Sequence, residues 1–270
     1  MILAPRFSSL RLAALLLLAA TLVLSACKSR REKDLPASAP EKVYESAQKS
    51  LDDGDYNNAI RLYEALYSRF PFAPEARQSR IDVMYAYYKA RESESALDAA
   101  DTFIRENPTH PRIDYAWYIK GLVDFERTPN FFEKVFRANL DQRPPQTARK
   151  SFAAFRKVVD DYPKSQYAHD ARRRMIYLRN RLADYELNVA RYYIKRGAWV
   201  AASQRAKVCI EQYDGAPAIR AAMEILIQSY DRLGMEPLAT QARAVYQANY
   251  QSDVDAKQAA TKRRWWNPFD

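Results

Sequence analysis

The sequence predicts an all-α fold of stacked helix pairs, and three observations carry that prediction. Apolar residues recur at three- and four-residue spacing along most of the chain. Helix breakers, Gly at one turn and Pro at the next, return at near-regular intervals. Glycine is scarce, five in 270 residues, so long stretches hold nothing that would interrupt a helix.

The founding unit is Val43–Pro71. Val43, Ala47 and Leu51 form one apolar stripe; Tyr56, Ala59, Ile60, Tyr63, Leu66, Tyr67 and Phe70 form a second. Between them Gly54 ends the first helix, because it takes φ > 0 without a Cβ penalty. Asp55 caps the next helix and Pro71 stops it. Ala47 and Ala59 are small where two helices must approach. This is the spacing of a tetratricopeptide repeat of about 34 residues. Gly54-x-Tyr56-x-x-Ala59 returns as Gly197-x-Trp199-x-x-Ala202 and, more weakly, as Gly234 with Ala239; Arg69-Phe70-Pro71 returns as Glu106-Asn107-Pro108 and Asp161-Tyr162-Pro163. From Pro71 to Pro108 is one repeat, whereas Pro108 to Pro163 holds about 20 residues more. The expected fold class is therefore a tetratricopeptide-repeat (helix-pair) solenoid of about five repeats, with an insertion in the third and a long linking helix. A lone hairpin cannot bury both faces, but stacked hairpins share a continuous core.

In chain order, residues 1–26 read as a lipoprotein signal peptide. Arg6 and Arg11 precede the apolar run Leu12–Leu24, which at about a dozen residues is too short to span a bilayer. Leu24-Ser25-Ala26-Cys27 resembles the bacterial lipobox, which implies cleavage before Cys27 and acylation of its thiol and its new amine. By the same resemblance Lys28, standing where Asp would signal retention, points to the outer membrane. Residues 27–40 form the acylated tether, polar and Pro-bearing, with a reach of at most roughly 40 Å. Removing the two leader arginines takes the formal charge from +10 to +8.

Residues 41–163 are the N-terminal repeats and 164–250 the C-terminal repeats. The second pair spans about Pro74–Ala90 and Ser93–Glu106. Tyr85, Tyr87 and Tyr88 in its first helix cannot all face one core; packing between repeats and a peptide-binding face are both open to them. Asn107-Pro108-Thr109-His110-Pro111 is a rigid turn, and His110 reads as a turn-capping residue rather than a metal ligand, as does His169. The insertion Arg127–Pro145 carries Phe131, Phe132, Val135 and Phe136, which suit a short amphipathic helix that either caps its own repeat or joins a binding face. Gln166–Arg196 holds no Gly or Pro, enough for a helix of roughly 46 Å. Ser165 caps it and Met175, Leu178, Leu182, Tyr185, Val189 and Tyr192 form its seam. Arg172, Arg173, Arg174, Arg179, Arg181 and Arg191 form a basic band, either a solvated face or a docking face for an acidic partner. Cys209 lies on an apolar stripe and reads as core. Residues 251–270 form a flexible tail ending in Lys262-Arg263-Arg264-Trp265-Trp266, which suits a membrane surface, an aromatic-binding groove or plain disorder.

Composition excludes much chemistry. There is no Gly-rich phosphate loop, nucleophile elbow, H-E-x-x-H or paired-Cys motif, and two histidines leave little for acid–base work. No enzyme, catalytic residue, metal site or cofactor is expected. No nucleic-acid motif appears, so nucleic acid is not read as a partner. A carboxylate-only glycosidase is a remote third reading.

Several strings are more specific than the repeat. Arg69-Phe70-Pro71-Phe72, Tyr85-Ala86-Tyr87-Tyr88-Lys89, Asn107-Pro108-Thr109-His110-Pro111, Arg181-Leu182-Ala183 and Arg196-Gly197-Ala198-Trp199-Val200-Ala201 together resemble the BamD family, lipoproteins of the outer-membrane β-barrel assembly machinery, across nearly all of Cys27–Tyr250. The resemblance implies a non-enzymatic scaffold on the periplasmic face of the outer membrane, lipid-anchored at Cys27. Its C-terminal repeats would dock the POTRA domain of BamA through Arg205, with Trp199 at the head of the same string. Its N-terminal repeats would receive targeting segments of unfolded outer-membrane β-barrel proteins in a groove of Phe70, Phe72, Ala73, Pro74, Tyr85, Tyr87 and Tyr88. The other Bam lipoproteins, BamC at the N-terminal half and BamE near the C-terminal part, are further implied partners. A repeat lipoprotein binding peptidoglycan or serving DNA uptake is the alternative.

Overall fold

The computed structural model describes residues 39–126 and 145–250; the expected signal peptide, Cys27, nearly all of the tether and of the insertion, and the tail lie outside them. Every described element is a helix. Two compact units are present, divided at Ala90/Arg91, whereas the functional halves expected above meet at 163/164, inside the second unit.

The first unit contains α1 (Pro40–Asp52), α2 (Tyr56–Arg69) and α3 (Pro74–Lys89). Asp55 caps α2 by accepting the Asn58 N–H at 3.2 Å, as its spacing predicts. Val43, Ala47, Ala59, Tyr63, Leu66 and Ala86 form the heart of the core. Asp82 on α3 ties this unit across, accepting hydrogen bonds from the Tyr44 hydroxyl at 2.8 Å and the Gln48 amide at 3.0 Å, both on α1.

The second unit contains α4 (Ser93–Glu106), α5 (Ile113–Glu126), α6 (Gln146–Asp161), α7 (Ala168–Lys195), α8 (Trp199–Gln212), α9 (Ile219–Arg232) and α10 (236–250). From α4 to α9 each helix packs on the next, and α9 also touches α7. The Tyr246 hydroxyl of α10 donates to Glu224 of α9 at 2.7 Å. At Gly121 α5 lies close against α6, where an added Cβ would lie 2.4 Å from the Phe155 ring. The Ser151 hydroxyl donates to the Gly121 carbonyl at 2.8 Å across the same contact.

The repeat is visible in the backbone itself. Gly54, Gly197 and Gly234 hold φ of 79°, 70° and 68°, and Arg91 takes the same turn at 62°. The fourth copy of the turn is therefore filled by a residue with a Cβ, so a search for Gly misses it. The opposite ends repeat too. Phe70, Asn107, Tyr162 and Tyr213 cap their helices with φ between −125° and −130° and ψ between 49° and 57°. Proline follows the first three and bars them from continuing the helix; Asp214 follows the fourth.

Three expectations need correction. The long helix runs over Ala168–Lys195, and Ser165 serves the turn before it, accepting the Tyr167 N–H at 3.1 Å and donating to Asp114 at 2.6 Å. The seam of α7 is shifted: Leu178 and Leu182 are buried, but Tyr192 is exposed and the buried line continues through Ala171, Ala183, Glu186 and Ala190. Close packing selects alanine on the contact line and leaves bulkier residues at its edges. His110 does cap its turn, with Nδ1 accepting the Arg112 N–H at 3.0 Å and its ring edge-on to Phe103, but His169 is an exposed residue in the first turn of α7.

Tyr118 of α5 stacks on Tyr167 at 4.7 Å and donates to Asp170 at 2.7 Å. Burial first, and the Asp170 carboxylate second, push its phenol up to about 12. The folded state thus holds this proton longer than the unfolded chain, and stability falls as pH rises from about 10 to about 12. Thermal midpoints measured across that window are expected to drop, and Tyr118→Phe to flatten part of the slope. Arg91→Gly is expected to raise the unfolding free energy measured in urea, by up to about 1 kcal/mol, since the left-handed cost of a Cβ outweighs the extra freedom of glycine in the unfolded chain.

Candidate functional site

The C-terminal candidate is built by the Gly197 turn, which starts α8 at Trp199. Six residues on is Arg205, about one and two-thirds turns away, so the two side chains leave the helix in different directions. The structure gives them different neighbours. Trp199 is part-buried, with the Arg232 guanidinium of α9 5.4 Å from its ring centroid. Arg205 turns to α7, where its Nη1 donates to Glu186 Oε2 at 3.0 Å.

Glu186 is the unexpected member. Its carboxylate is 1% exposed, and its other oxygen accepts from Arg149 Nη2 of α6, also at 3.0 Å. The two arginine side chains are 49% and 41% exposed. A carboxylate removed from water costs several kcal/mol unless paired and hydrogen-bonded on both oxygens. One guanidinium per oxygen meets that demand and locks α6, α7 and α8 together. The hydrogen bond to Glu186 in turn raises the Arg205 pKa above its already high value. Beneath the cluster Cys209 is fully buried; burial pushes its thiol up to about 11.

The N-terminal candidate residues divide by face. Phe70, Ala73 and Tyr87 pack against the core of the first unit, and the Tyr87 hydroxyl donates to Glu64 of α2. Tyr85 and Tyr88 meet each other instead, ring centroids 6.1 Å apart, and Lys89 lies 5.9 Å over Tyr85. Phe72 stands clear of everything at 95% exposure beside exposed Pro74. The seven residues therefore divide into exposed Phe72 and Pro74, a half-buried tyrosine pair, and three residues packed on the core.

The basic band of α7 is largely engaged within the chain. Arg173 and Arg174 bond Asp170 at 3.1 Å and 2.5 Å, and Arg174 also lies 4.9 Å from the Phe125 ring centroid. Arg179 donates to the Gly215 carbonyl at 2.9 Å. A groove of about 650 Å³ that the sequence did not announce runs between α4, α5 and α6, with Trp117, Lys120, Asp124 and Lys157 among its walls. Among the described residues, no cluster of three or more His, Cys, Asp or Glu side chains is placed to hold a metal, and no helix is long and apolar enough to cross a membrane.

Comparison with known proteins adds to this geometry. Residues 36–245 match YfiO, described as an outer membrane lipoprotein family. The outer membrane protein assembly factor BamD of Neisseria meningitidis serogroup A is 40% identical over 234 residues, covering 85% of this chain and 88% of the relative. The protein of the same name from Neisseria gonorrhoeae matches with the same identity and coverage. That of Vibrio cholerae is 36% identical over 215 residues, covering 80% and 89%.

The Glu186 cluster makes a graded stability prediction. Replacing both Arg149 and Arg205 with Ala strands the buried carboxylate and is expected to cost about 3–5 kcal/mol. Each single replacement costs less, about 1–3 kcal/mol, because one buried oxygen loses its donor while the remaining guanidinium still pairs the charge. Chemical denaturation of the three variants measures the non-additivity.

Proposed function

The chain belongs to the YfiO family of outer membrane lipoproteins, and from that premise we propose that it is a non-enzymatic scaffold of the outer-membrane β-barrel assembly machinery. It is held on the periplasmic face of the outer membrane by acyl chains on Cys27. Its C-terminal repeats, 164–250, dock the POTRA domain of BamA through Arg205, with Trp199 at the edge of the contact. Its N-terminal repeats, 41–163, receive targeting segments of unfolded barrel proteins. BamC and BamE are neighbours in the same assembly.

The observation that carries this reading is the span of the family match, 36–245, which includes every helix that bears these residues. The geometry adds physical support. Arg205 keeps a substantial part of its side chain in solvent while one nitrogen is fixed on Glu186, so it is already oriented for a partner carboxylate. At the other candidate, exposed Phe72 and the amphipathic Tyr85–Tyr88 pair offer apolar contact with polar edges, which suits an extended peptide carrying aromatic residues. Modest affinity is useful in a relay that must release its client.

Affinity purification of the lipidated protein from detergent-solubilised outer membranes is expected to recover a stoichiometric barrel protein with periplasmic POTRA repeats. Recovery with peptidoglycan fragments or DNA-uptake components would overturn the reading. Phe72→Ala is expected to change stability by no more than about 0.5 kcal/mol while weakening photo-crosslinking to a barrel-protein C-terminal peptide. Unchanged crosslinking would remove Phe72 from the site.

A further inference from the structure

The family resemblance points to one arginine, Arg205, for the docking contact, and the structure places a second beside it. Arg149 and Arg205 come from α6 and α8, and each gives a single N–H to one oxygen of the same buried carboxylate. Two 3.0 Å bonds and the span of a carboxylate keep the bonded nitrogens within about 8 Å of each other. Each guanidinium has five N–H donors in a flat fork, so most donors on both are not used by Glu186. Both side chains are about half exposed, while the anion between them is sealed from water. Two cations over one buried anion leave a local excess of one positive charge, displayed on the solvent side.

From this we infer that Arg149 and Arg205 act as one two-armed receptor for a carboxylate side chain of a protein partner, with Glu186 as the positioning residue that holds both arms. The inference deepens the docking reading and rests on it for the partner's identity. Preorganisation is the physical advantage: two flexible side chains already fixed at one end lose less freedom on binding than free ones. It also removes a difficulty that a lone Arg205 would face. If Arg205 turns toward a partner, Glu186 keeps Arg149, and no buried charge is abandoned.

The test uses the full lipidated chain in detergent and reads the rate at which phenylglyoxal modifies each arginine, mapped by mass spectrometry. Three probes are added in turn at constant ionic strength: the soluble POTRA region of BamA, hexaglutamate, and phosphatidylglycerol vesicles. The expected result is joint protection of Arg149 and Arg205 by the POTRA region and, at higher concentration, by hexaglutamate, with hexaglutamine inert. Arg149→Lys, which keeps a cation on Glu186, is expected to weaken POTRA binding by about tenfold or more at unchanged melting temperature. Protection of Arg205 alone, with Arg149→Lys binding normally, overturns the two-armed site and leaves single-arginine docking standing. No protection by the POTRA region, but joint protection by hexaglutamate, supports the receptor and shifts the failure to the BamA reading. No protection by either acidic probe, or stronger protection by the vesicles, overturns the proposal, the last in favour of a lipid surface.

Discussion

Close approach of neighbouring helices is the constraint on which the rest of this molecule depends. The contact lines are drawn in alanine: Ala47, Ala59, Ala96, Ala116, Ala183 and Ala202 are all completely buried. At Gly121 even a methyl group would collide with Phe155. Backbones this near leave no room for adjustment, since a packed interior behaves as a solid. The turn geometry follows. A pair of helices in such contact must reverse within a few residues, which fixes the left-handed position at Gly54, Gly197 and Gly234.

Apolar packing of this kind is repetitive, and repetition alone does not fix which helix sits beside which. The polar clamps supply that information. Asp82 reaches back from α3 to α1, Asp170 of α7 meets Tyr118 of α5, and Glu186 holds α6 and α8 on either side of α7. A misaligned register would leave any of these carboxylates short of donors, and the cost grows with burial. Glu186, the most deeply buried of the three, is the strictest of these locks.

Local features were legible in the sequence and relations between distant residues were not. Gly54, Asp55, Pro71 and the Pro74 start of α3 announce themselves because each states a backbone geometry on its own. The division of Tyr85, Tyr87 and Tyr88 between faces followed from helical spacing alone. Arg91 and Tyr213 were missed for the converse reason: neighbouring structure imposes on them conformations that their own chemistry does not request. The Glu186 cluster joins residues 37 and 19 positions apart, and no periodicity relates them. One signal was present. Glu186 stands where the alanine line of α7 requires a buried side chain, and a charge on a buried line implies partners elsewhere.

The burial of Cys209 has a practical meaning. The chain has two cysteines, and a preparation starting after Cys27 would keep only this one. With its thiol sealed beneath α7 and α8 and its pKa pushed to about 11, it is silent to thiol reagents for as long as the helices stay shut. Its labelling rate then becomes a clock for their opening. Followed over time, that clock counts how often the joint between α7 and α8 breathes, using an atom that nature has already placed there.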